Sequence, residues 1–167
     1  MSDKEFKKLA DDLRKGLDEV NKIGPLFQET LQRFDSELPD RLERYIPGGI
    51  LHDFYHGVES ILFRIARQMD LHVPEGASSH RDLLNQMANP FLPNRRQPVI
   101  SQETANLLDE YRSFRHLFRA IYGFDLNWKR LEPLLIGAKP ALDSFNDDIE
   151  KFINLLKMLD NIVDSDF

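Results

Sequence analysis

Residues 107–122 read LLDEYRSFRHLFRAIY, and their spacing decides the fold class. At about 100° per residue, Leu107, Phe114, Phe118 and Ile121 gather on one side of a helix. Arg112, Arg115, His116 and Arg119 gather on the other, within about 100° of arc. The same period runs outward in both directions. Upstream, Ile50, Leu51, Phe54, Val58, Ile61, Leu62, Ile65 and Met69 keep helical register, and so do Phe6, Leu9, Leu13, Leu17 and Val20. Downstream, Phe145, Ile149, Phe152, Ile153, Leu156 and Leu159 do the same. No alternating strand pattern competes. An all-α antiparallel bundle of five or six helices follows.

Punctuation divides the helices. Pro25 interrupts the first stripe and Pro39 stops it, so residues 3–38 read as one kinked helix or two short ones. Pro47-Gly48-Gly49 reads as a turn and Val73-Pro74-Glu75-Gly76 as a helix end. Ser78 or Ser79 is placed to cap the helix that carries Leu83, Leu84 and Met87. Residues 89–100, NPFLPNRRQPVI, hold three prolines and cannot be regular helix. Ser101 begins the next helix, and Gly123 reads as its C-terminal glycine. Asn127 reads as a cap for a short helix through Leu135, followed by a last helix over 140–165.

A chain of 167 residues is sized for a single domain. It is read as 1–38, an N-terminal helical segment, then a central region over 45–135 and the C-terminal helix. With no cysteine, disulfides, thiolate metal sites and cysteine nucleophiles are excluded, which fits a reducing, cytoplasmic compartment. The start, MSDKEFKKLADDLRK, carries no signal-peptide run, and no apolar stretch approaches the ~20 residues of a membrane span. The net charge is −6, from 28 acids against 22 bases. A polyanion site must therefore be a local basic patch.

The stripe of Arg112, Arg115, His116 and Arg119 is such a patch. Like charges at i, i+3 and i+4 repel by a few tenths of a kcal/mol per pair. They persist facing water near a helix C-terminus, where the dipole favours cations, or facing acids or a bound anion. Arg95 and Arg96 read as a solvated pair or as an extension of the same surface toward RNA. His52, His56 and Glu59, at i, i+4 and i+7, read as packing or as ligands converging on a metal. His80 reads as a capping-turn or surface residue, and Trp128 as packing under the loop after Gly123. Asp143, Asp147, Asp148 and Glu150 read as a solvated helix start.

The segment LDEYRSFRHLFRAIYGFDLNWKRLEPLL, residues 108–135, resembles the signature stretch of HepT-like ribonuclease toxins of the HEPN superfamily. GILHDFYHGVESILFRIA (49–66) and SHRDLLNQMANPFLPNRRQPVISQETANLLDEY (79–111) are similar to the same family's helices and connecting loop. The resemblance implies a HEPN-like bundle and metal-independent endonucleolytic RNA cleavage, with no cofactor. It also implies a homodimer whose two Arg-x4–6-His motifs line one cleft. Arg115 falls on the motif arginine and His116 on the polar residue after it. Ala120 falls on the motif histidine, and Tyr122 on the tyrosine two places later. The implied partner is a nucleotidyltransferase antitoxin of the MNT type that adds AMP to that tyrosine. A histidine moves a proton at a ribose hydroxyl while arginine holds charge on the phosphate. Alanine has no proton to give. Either His116 takes that role, with Arg119 beside it, or the chain binds RNA and cleaves it weakly or not at all. The resemblance also admits a helical interaction module that docks an acidic partner or the nucleotidyltransferase. Glu59 is placed to pair with a motif arginine across the bundle.

Overall fold

Leu9, Leu13, Leu17 and Val20 bury one face of α1 (Asp3–Asn21), because apolar side chains at steps of three and four share a helical face. They pack along α6 (Trp128–Val163) and α3 (Tyr45–Ile65). The computed structural model describes residues 3–120 and 126–163; Tyr122 and Gly123 lie outside them. Between α1 and α6 come α2 (Gly24–Arg33), α3, α4 (Ser79–Ala88) and α5 (Gln102–Ala120). The chain breaks between α1 and α2 at Lys22-Ile23, so residues 3–38 hold two helices, the second ending at Arg33. Among the described residues the fold is all-α; the extended contact is one isolated pairing, Phe91 with Arg96.

The third helix is the hub, packed against α1, α2, α4, α5 and α6. It begins at Tyr45, so Pro47-Gly48-Gly49 is the first turn of a helix and not a connecting turn. A first-turn proline loses no helical hydrogen bond. Gly48 is there for packing: a Cβ on it would stand 2.7 Å from the Phe118 ring. At its far end α3 widens into a π-type turn, Ala66–Asp70, closed by Leu71 at φ 52°.

One expectation of the sequence fails at α6, which runs unbroken through Pro133 and Pro140 for 36 residues. An interior proline costs about 3 kcal/mol. Against that, Leu131, Leu135, Ala138, Leu142, Phe145, Ile149, Phe152 and Leu156 form one buried stripe across both prolines. Each large buried side chain contributes roughly 1.5–3 kcal/mol, so packing outweighs the two lost bonds. Asn127 caps this long helix, its Oδ1 accepting the Lys129 amide at 3.0 Å. Trp128 is buried edge-on against Phe34, with ring centroids 5.5 Å apart.

The acids of 143–150 lie mid-helix, and two of them are tied to other elements. Glu150 pairs with Arg14 of α1. Asp148 caps α5: its Oδ2 accepts the Ser101 amide at 2.8 Å and the Thr104 hydroxyl at 2.6 Å. Burial alone would raise the Asp148 carboxyl, but these donors hold it below the usual range. The Ser101 hydroxyl completes the cap by accepting the Thr104 amide at 3.1 Å.

Candidate functional site

The buried residues of α5 are Thr104, Ala105, Leu108, Tyr111 and Phe114, and Thr104, Leu108 and Tyr111 run along one line at i, i+4 and i+7. One more helical step lands on Arg115. The arginines therefore continue the face that α5 turns to the bundle, and do not stand opposite it as the wheel centred on Leu107 and Phe114 suggests. Leu107 and Phe118 are only half-buried. Toward the C-terminal end of α5, cations replace the apolar side chains, and a hollow opens there.

The Arg115 side chain is 12% exposed and meets Glu59 of α3, itself 4% exposed, with Nη1 3.1 Å from Oε2. The expected pairing across the bundle is thus present. Glu59 also accepts from His80, at the start of α4, whose Nδ1 lies 2.5 Å from Oε1. A carboxylate only accepts, so Nδ1 carries the proton and Nε2 is left as the acceptor of the neutral ring. The Arg115 Nη1 stands 3.4 Å from the same Nδ1. Three helices thus meet in one linked group, Glu59, His80 and Arg115. Its fourth neighbour, Tyr55, lies one turn before Glu59 on α3. Burial, with the Glu59 charge, pushes its phenol well above the ordinary range, and Arg112 and Arg115 only partly offset this. Tyr55 is therefore a neutral hydroxyl here, not a base.

In front of this group lies a hollow of about 630 Å³, lined by His80, Arg81, Arg112, Arg115, His116 and Arg119 together with Ala77 and Ser78. Four arginines converge there on a chain of net charge −6. Arg112 is steadied by Asp109, which accepts from its Nε at 2.6 Å, while His116 and Arg119 are exposed at the rim. The Arg115 Nε–H is buried and has no hydrogen-bond partner among the described residues. Such an orphaned donor costs about 1–3 kcal/mol. Apart from it, the four guanidinium groups around the hollow favour an anion within it. Backbone amides at the start of α4 favour the same charge.

Several sequence-level candidates lie elsewhere. Arg96 is no part of the basic surface: its side chain is 1% exposed and paired with Asp70. Arg95 is exposed, at φ 56°, outside the residues lining the hollow. Ala120 ends α5, and Tyr122 falls beyond the described residues. His52 and His56 stack on each other, with centroids 6.2 Å apart, while the Glu59 carboxylate is taken by Arg115 and His80. Among the described residues no cluster of acids and histidines has the form of a metal site. Among the described residues no helix is long and apolar enough to cross a membrane.

Sequence reasoning set His80 aside as a capping-turn or surface residue and did not single out Arg81. They sit some 35 residues before Arg115, and no periodicity links the two segments. The available signal was their position at a helix start inside a block already similar to the family.

Neither a characterised protein nor a solved structure matches the chain. The profile of a family described as HepT-like protein does match, over residues 48–156. The match begins in the first turn of α3 and continues into α6, past the 135 at which the sequence resemblance was placed. It takes in every residue of the hollow, and with the all-α bundle around them it settles the family: this chain is a HepT-like protein of the HEPN superfamily.

Proposed function

We propose that this chain is a HEPN-type endoribonuclease, the toxin half of a toxin–antitoxin pair, cutting RNA without a metal. The observation that carries this reading is the hollow itself, where Arg115, half-buried and held by Glu59, stands with three further arginines on a chain of net charge −6. Guanidinium forks fit phosphate, and the acidic remainder of the surface repels it. In this reading two protomers pair about a two-fold axis, so that their hollows face one strand. Ala120 cannot supply the proton of the family motif, so another group must.

The test is binding of a labelled single-stranded RNA as salt is raised, with light scattering on the same samples. Four phosphate contacts give a slope near −2.8 in log K against log [salt], about a fiftyfold loss between 50 and 200 mM. Arg119→Ala is expected to reduce that slope by about 0.7. Absence of RNA binding at 50 mM salt, or particles that stay monomeric at tens of micromolar, overturns the reading. The helical interaction module then takes its place.

The partner in this reading is a nucleotidyltransferase that adds AMP to Tyr122, three residues beyond Arg119. The added phosphate and nucleoside would oppose RNA by charge and bulk. Intact-mass spectrometry after incubation with ATP and that enzyme is expected to show AMP added to the wild-type chain and none to Tyr122→Phe. An adduct that survives Tyr122→Phe sinks the assignment.

A further inference from the structure

We infer that His80, held by Glu59, is the group that moves the proton in strand cleavage. This rests on the ribonuclease reading above and names a residue outside the family motif.

Two histidines reach the hollow, and they differ in how they are held. His116 is exposed and makes no hydrogen bond to the described residues. His80 is 38% exposed and fixed from behind by a carboxylate that is 4% exposed. A proton-transfer group needs a set tautomer and orientation, as well as reach. The Glu59 carboxylate supplies both, because its Oε1 demands the proton on Nδ1. Nε2 is thereby left as a lone-pair acceptor on the other side of the ring. The Arg115 guanidinium is bound to the same carboxylate, 3.4 Å from His80 Nδ1. Arg115 and His80 are thus held side by side on one carboxylate at the edge of the hollow.

The charges around His80 come from three helices: Glu59 from α3, Arg81 from α4, and Arg112, Arg115, His116 and Arg119 from α5.

The step conserves atoms and charge. Nε2 takes the proton of a ribose 2′-hydroxyl, and the 2′-oxygen forms a bond to the adjacent phosphorus. The bond from phosphorus to the 5′-oxygen breaks, and that oxygen takes a proton from His116 or water. The products are a 2′,3′-cyclic phosphate and a 5′-hydroxyl. Glu59 is a positioning residue throughout.

His80→Asn is the informative variant, because the asparagine amide can keep the donor to Glu59 while nothing replaces Nε2. Cleavage of labelled RNA in EDTA is compared for wild type, His80→Asn, Glu59→Gln and His116→Ala, across pH, with melting curves and RNA binding on each. His80→Asn is expected to lower kcat by about 10²–10⁴, to leave KM within a few fold, and to remove one ionisation from the pH–rate profile. Glu59→Gln is expected to lower kcat and displace that ionisation. Wild-type cleavage that persists in His80→Asn overturns the assignment. So does an ionisation lost in His116→Ala instead, or a wild-type chain that binds RNA and leaves it intact. A chain that binds no RNA fails the ribonuclease reading itself, and the assignment with it.

Discussion

Arg96→Ala is expected to lower the folding free energy by about 3–5 kcal/mol, the range for breaking one side of a buried ion pair. The Arg96 side chain is 1% exposed and that of Asp70 0%. The two meet as a fork, Nε to Oδ1 at 2.7 Å and Nη2 to Oδ2 at 2.9 Å. Arg96 also donates to the carbonyls of Gln97 at 2.7 Å and Gln86 at 3.0 Å. It thus ties the proline-rich loop to the end of α3 and to α4. With the guanidinium gone, the Asp70 carboxylate stays buried without its opposing charge, and native domains hold only about 5–15 kcal/mol in total. Adding Asp70→Ala to Arg96→Ala is expected to cost less than the two single losses summed, since no charge is then stranded. Urea denaturation of the four proteins measures this. A single-variant loss under about 1 kcal/mol, or strict additivity, would contradict the buried pair.

Arg115→Ala is expected to reduce RNA cleavage by about 10²–10³, the usual loss when one donor to a developing phosphate charge is removed. It should also destabilise the fold, because Glu59 would keep a buried charge with only the His80 N–H left of its two donors. Arg115→Lys separates the two effects. Lysine supplies a charge toward Glu59, so the melting temperature should recover most of the loss. It presents a point ammonium in place of a planar fork, so cleavage should stay well below wild type. If Arg115→Lys restores both equally, Arg115 acts through the fold and not on the phosphate.

Most of the helical layout was legible in the residues because apolar spacing is a local property. The interruption near Pro25, the break across 89–100, and the caps at Ser101 and Asn127 follow from short stretches of sequence. The failures share one cause: the deciding partner is remote. Pro133 and Pro140 sit inside a helix because a stripe from Leu131 to Leu156 packs against other helices. The acids at 148 and 150 look solvated until Ser101, Thr104 and Arg14 are brought beside them. Arg95 and Arg96 are adjacent and alike in sequence, yet one faces water and the other faces Asp70. Four members of the candidate site lay in one helical stripe. His80 and Arg81 did not, and only the packing of α4 against α5 joins them.

The three polar attachments of α5 fall along a single line on its surface. At its start Thr104 is bonded to Asp148; at mid-length the Tyr111 hydroxyl donates to the Leu134 carbonyl at 2.9 Å; further on Arg115 meets Glu59. Burial raises the Tyr111 phenol well above its ordinary value, so that middle attachment stays a donor. It is also close-fitting, since a Cβ on Gly137 would stand 3.0 Å from its oxygen. Mechanically, α5 is a beam pinned at three points, two on α6 and the last on α3. Arg119 lies one helical turn, roughly 6 Å, beyond the last pin. It rides on an overhang whose direction is fixed by the pins behind it, so the reach of this cation is set at Glu59, Leu134 and Asp148, none of which touches the hollow it serves.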